Sequence, residues 1–75
     1  MTKEELLQDE LQRVKFRIQI LNMIEDKLRE MKALAEQVVR KEIGQEEIAN
    51  IQFRVNELVN EISSLEKLEE PEVLH

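Results

Sequence analysis

Glu42-Ile43-Gly44-Gln45-Glu46-Glu47-Ile48 holds the only glycine of a 75-residue chain. Glycine is worse than alanine inside a helix by about 1 kcal/mol, so a lone glycine in a helix-rich sequence marks a candidate boundary. The residues after Gly44 read as a helix start. With Gly44 as N-cap, Gln45, Glu46 and Glu47 fill the first turn, where carboxylates meet the positive end of the helix dipole. Glu47 is then placed to reach back to the cap amide, and Ile43 and Ile48 have the spacing of a hydrophobic staple. Arg40 and Lys41 suit the negative end of a preceding helix. The competing reading is one unbroken helix through Gly44. The agreement of the cues favours a turn at about 42–44, between a first helix at about 3–41 and a second at about 45–70.

Upstream, Thr2 is the expected N-cap of helix 1, with Glu4 and Glu5 in the first turn. Leu7, Leu11, Val14, Ile18 and Leu21 follow a 4-3-4-3 spacing, the seam of a helix that pairs with another. The seam continues as Ile24, Leu28, Met31, Ala35 and Val38, with a step missing between Leu21 and Ile24, a register break of the stammer type. Val14, Phe16, Ile18 and Ile20 also alternate as a strand would. A lone strand cannot satisfy its backbone, and no second convincing strand exists to pair with it.

Downstream, Ile48, Ile51, Val55, Leu58, Ile62 and Leu65 give helix 2 a clean seam of alternating three- and four-residue steps, the heptad repeat. Pro71 ends it, because the residue before a proline avoids helical dihedrals. Residues 71–75 read as a tail.

Folding at about residue 43 brings the seams into register. Ala35 meets Ile51, Met31 meets Val55, Leu28 meets Leu58, Ile24 meets Ile62, Leu21 meets Leu65 and Ile18 meets Leu68. Arg17 then lies near Glu69. The predicted fold class is all-α, an antiparallel two-helix hairpin forming a single domain with coiled-coil-like packing.

Helix 1 is more apolar than one neighbour can cover. Beside its seam runs a second stripe of Phe16, Ile20, Met23, Leu34 and Val38, and together they span roughly two-thirds of the circumference, well beyond the 100° arc of a one-sided helix. Helix 1 is also the longer helix, so Leu6, Leu7 and Leu11 overhang by roughly three to four turns. Phe53 and Val59 flank the helix 2 seam. The expected outlet for Leu6, Leu7, Leu11, Phe16, Ile20, Met23, Leu34, Val38 and Phe53 is a dimer or partner interface. The simplest form is a homodimeric four-helix bundle, and the alternative is one subunit of a hetero-oligomeric helical complex.

Composition narrows the function. A chain this short buries too little surface for comfortable stability without a staple or a partner. It has no cysteine, hence no disulfide and no thiolate metal site, which suits a reducing compartment and a cytoplasmic location. Its single histidine is His75, no Glu-x-x-His pair occurs, and the expected state has no metal and no cofactor. No apolar run approaches membrane-spanning length, and Met1-Thr2-Lys3-Glu4-Glu5 is not a signal-peptide start. The mixed charges of helix 1 do not suit a membrane-surface helix, so no membrane contact is expected. No nucleophile motif or phosphate loop is present, and a two-helix hairpin has no concave site, so an enzyme is not expected.

Residues 1–42 carry nine basic and nine acidic side chains, and residues 43–75 carry two and eight, so the net charge of −6 lies wholly in the second half. An acidic chain is a poor general binder of nucleic acid. Arg13-Val14-Lys15-Phe16-Arg17 interleaves charge with an aromatic, and hairpins that dimerise into bundles include the RNA-binding ROP. A ROP-like RNA-binding dimer is therefore an alternative, on architecture alone. The principal expectation is a self-associating hairpin that binds or regulates another protein through apolar helix faces.

Overall fold

The structure is a computed structural model that describes residues 1–40 and 43–69. It is all-α, with α1 (Lys3–Val39) packed against α2 (Gln45–Glu69). The molecule measures 61 × 22 × 13 Å. The helices run antiparallel: Lys27 bridges to Glu61, while Glu30, further along α1, bridges to Arg54, earlier on α2. These bridges straddle the level at which the sequence pairs Leu28 with Leu58. The alternating stretch from Val14 to Ile20 lies inside α1, where a helix satisfies every backbone group locally.

Thr2 caps α1, and it does so with a full capping box. The Glu5 N–H donates to Thr2 Oγ1 at 3.2 Å, and the Thr2 N–H donates to Glu5 Oε1 at 2.9 Å. This pairs two helix-end donors that have no partner within the helix. At the other end Arg40 is the C-cap, its N–H donating to the Glu36 carbonyl at 3.1 Å. Gly44 precedes α2 as its N-cap: its carbonyl accepts from the Ile48 N–H at 3.0 Å, the first bond of the helix. Ile43 and Ile48 are both half-buried beside this turn. Lys41, Glu42, Glu70 and the tail 71–75 lie outside the described residues.

The core is small. Leu58 has no exposed surface and Ile20 is 2% exposed. Around them Ile24, Met31 and Leu34 of α1, and Ile48, Ile51, Val55, Ile62 and Leu65 of α2, are half-buried. The α2 face is the one its spacing describes, except that Leu68 is exposed.

The α1 face differs from the expected one. Of the intrachain seam, Ile24 and Met31 face α2, whereas Ile18, Leu21, Leu28 and Ala35 are exposed. Ile20 and Leu34, expected at a dimer interface, pack toward α2 instead. The reason lies in what the two stripes of α1 carry beside α2: the outer one runs Leu21, Glu25, Leu28, Lys32 and Ala35, whereas the inner one, with Ile20, Ile24, Met31 and Leu34, carries a single charge, Lys27. The rotation of α1 that turns the inner stripe toward α2 also presents Glu30 and Lys27 to Arg54 and Glu61 on one flank of α2. The rotation also resolves the apparent register break. Ile20, Ile24, Lys27, Met31, Leu34 and Val38 form one unbroken 4-3-4-3-4 stripe, and Leu7, Leu11, Val14, Ile18, Leu21, Glu25 and Leu28 form another. The missing step between Leu21 and Ile24 is where the expected seam jumps from the outer stripe to the inner one.

Candidate interaction surface

One edge of the α1–α2 contact is closed by charge. Arg54 holds Glu30 with two donors, Nε to Oε2 at 2.6 Å and Nη2 to Oε1 at 3.0 Å, the forked geometry that suits guanidinium to carboxylate. Lys27 Nζ donates to Glu61 Oε1 at 2.7 Å, and Arg54 Nη1 also approaches Glu57 at 3.4 Å and Glu61 at 3.5 Å. The Arg54 hydrogen bonds hold the Glu30 carboxyl below the usual carboxylate range. The Lys27 hydrogen bond does the same for Glu61. In return Glu30 raises the already high pKa of Arg54. Lys27 occupies a position of the inner stripe where an apolar residue belongs. Its side chain is 24% exposed, so the stem lies along the contact while the ammonium reaches Glu61. Glu61 is thus an ion-pair partner, the role its flanking position suggests.

The opposite edge of the contact is apolar and runs on into the outer stripe of α1. Leu7, Leu11, Val14, Ile18, Leu21 and Leu28 are all roughly half exposed, from 48% for Val14 to 63% for Leu7. A helical side chain turned away from its only neighbour keeps about this exposure, because its own helix covers the rest. Glu25, the one polar residue within the stripe, pairs with Arg29 one turn on at 3.3 Å. This exposed pair contributes little to stability, but it offsets the charge that interrupts the stripe.

Among the other residues expected at an interface, Leu6, Phe16, Met23 and Phe53 are about half exposed or more, and Val38 is more exposed than the core positions. Leu6 lies on the overhang, and Phe16 and Met23 flank the inner stripe on the side of Glu30. Phe53, Val59 and Leu68 of α2 point in three different directions and make no common face.

Within the basic run, Arg13 is engaged with Asp9 at 3.5 Å, and Lys15 stands on another side of the helix from Arg13 and Arg17. The side chain of Glu69 lies outside the described ones, and so does its expected pair with Arg17. A shallow open groove beside Met1, Glu5, Gln8, Asp9, Leu11 and Gln12 lies at the start of α1. Among the described residues no group of three or more His, Cys, Asp or Glu is placed to hold a metal ion. No helix among them is long and apolar enough to cross a membrane.

Sequence reasoning missed the Glu5 half of the capping box, although Thr2-Lys3-Glu4-Glu5 carries the S/T-x-x-E signal for it. It also missed the Arg54–Glu30 bridge, for which no local signal exists. The chain matches no protein-family model, no curated protein and no solved structure. Its class is set by architecture alone: an α-helical hairpin with one helix longer and more apolar than its partner can cover.

Proposed function

We propose that this protein is a non-enzymatic interaction module. It is a helical hairpin that self-associates through an apolar face of α1 and, in that state, binds or regulates another protein. One observation carries the reading: α1 bears two heptad-spaced apolar stripes, and α2 covers only the inner one. A contiguous exposed stripe of this length is unusual on a monomer and ordinary at an interface. A core with two buried side chains also gives a lone hairpin little stability, which a second layer of helices supplies. We place the module in the cytoplasm, a setting with which a sequence without cysteine is compatible.

The test is the mass in solution by light scattering over a wide concentration range, with helicity recorded in parallel. A helical dimer at micromolar concentration is the expected result. A poorly helical monomer that gains helix only when a different protein is added assigns the same face to a hetero-complex and ends the self-association reading.

A further inference from the structure

We propose that the outer stripe of α1 is the seam of an antiparallel α1–α1 pairing between two copies of this chain, with Ile18 level with the partner's Leu21. The proposal rests on the self-association reading and names its face, occupant and direction. It places the two α1 helices together at the centre and one α2 on each outer side.

Three features select a second copy as the occupant. The first is period. The stripe keeps a 4-3-4-3-4-3 spacing from Leu7 to Leu28, the repeat that holds one face against a second long helix in a left-handed supercoil. It spans about 32 Å and runs past the end of α2, so the occupant must be a helix at least that long. The outer stripe of another α1 meets that requirement.

The second feature is charge. Residues 1–42 are balanced at nine basic and nine acidic side chains, whereas all of the −6 belongs to residues 43–75. Pairing α1 with α1 joins two nearly neutral helices and keeps the two acidic α2 helices apart. The third is area. Five side chains, Leu11, Val14, Ile18, Leu21 and Leu28, at about half exposure offer roughly 450 Å², and a self-complementary pair roughly 900 Å², more than most packing contacts bury and the size of a reversible interface.

Direction follows from Glu25. A parallel, in-register pair sets Glu25 against its own copy inside the seam, where like charges repel. In the antiparallel pair Leu11 lies level with the partner's Leu28 and Val14 with the partner's Glu25. Glu25 then lies beside the partner's Lys15, an opposite charge at the margin of the seam.

The experiment uses the full chain. Sedimentation equilibrium and circular dichroism compare the wild type with Ile18→Glu, at the centre of the outer stripe, and Met23→Glu, an equally exposed position on another face. Ile18→Glu is expected to weaken dimerisation at least about 30-fold, the effect of losing a central anchor. Met23→Glu is expected to leave the wild-type dissociation constant within about 3-fold, the range for a position outside the seam. A dimer that survives Ile18→Glu and is lost in Met23→Glu overturns the face and leaves self-association standing. A wild type that is monomeric at every concentration overturns both.

The wild-type chain has no cysteine, so single cysteines report direction without background. Leu11→Cys mixed with Leu28→Cys is expected to give the mixed disulfide. Two copies of residue 11 lie about 25 Å apart in the antiparallel pair, beyond the 7 Å reach of a disulfide. A predominance of Leu11→Cys homodimers overturns the antiparallel arrangement, even if the charged variants fail to fold.

Discussion

Ile18 and Ile20 stand two positions apart on α1 and face opposite sides, Ile20 at 2% exposure against α2 and Ile18 at 51%. Two residues are about 200° of an α-helix, so one helix presents two apolar faces, and its partner takes one. In dilute protein, Ile20→Ala and Leu58→Ala should each cost about 3 kcal/mol, the range for emptying a buried aliphatic site. Ile18→Ala should cost about 0.5 kcal/mol there, as expected for an exposed side chain. At concentrations where copies pair, the cost of Ile18→Ala should grow while that of Ile20→Ala stays the same. Chemical denaturation at two protein concentrations reads both effects.

Arg54 joins the two helices through a fork that lysine cannot form. Arg54→Lys should keep the charge and lose the two-donor grip, so the Glu30 carboxyl should move back toward its ordinary range. Titration followed by carboxyl NMR measures that shift. A Glu30 carboxyl that stays depressed in Arg54→Lys shows that charge alone suffices.

Stability should fall in acid for a defined reason. Glu30 and Glu61 are held below the ordinary carboxylate value by Arg54 and Lys27, and Glu5 by its hydrogen bonds with Thr2. The unfolded chain therefore takes up protons more readily than the folded one. The stabilisation is present above about pH 4.3, the ordinary glutamate value, and is lost as pH falls through the depressed values. Denaturation midpoints across pH 2–6 should drop more steeply for the wild type than for the Glu30→Gln, Glu61→Gln double variant. Equal slopes in the two proteins refute the assignment to these bridges.

Thr2→Ala removes one side of the capping box and should cost about 1 kcal/mol at that helix end. The effect should be local, because the start of α1 overhangs α2. Amide exchange should quicken at Glu5 and Leu6, whose N–H groups bond to the Thr2 side chain and carbonyl, and stay unchanged near Leu28.

Gly44→Ser should stabilise the hairpin by about 0.3 kcal/mol, since serine is slightly the better N-cap. The site has room, because a side chain starting there meets nothing within 4 Å. Thermal unfolding reads the change, and a lower midpoint would mean that the turn requires glycine for its backbone.

Much of the fold is legible without coordinates. The turn at Gly44, the cap at Thr2 and the α2 face from Ile48 to Leu65 all rest on local chemistry: a missing side chain, a hydroxyl within reach of an amide, a regular apolar step. The antiparallel pairing follows from the turn, because a short connection leaves two helices no other way to meet. The rotation of α1 does not follow. Leu21, Ile24 and Leu28 can be read as one seam with a skipped step, or as members of two adjacent stripes, and the unbroken spacing of the second reading requires a charged residue, Lys27, at a seam position.

Sequence by itself determined that this chain forms two helices, where they begin, that they fold back on each other and that α1 is too apolar for one neighbour. Tertiary structure alone decided which stripe is covered. In the covered stripe Lys27 meets Glu61, and beside it Glu30 meets Arg54, contacts between residues 24 to 34 positions apart in the chain. No local pattern encodes a contact at that separation. Over the stretch that α2 covers, the inner stripe carries one charge and the outer stripe two, Glu25 and Lys32, so the inner stripe is the better seam once the ion pair admits Lys27 to it, and the rotation leaves Leu7 to Leu28 as the free surface.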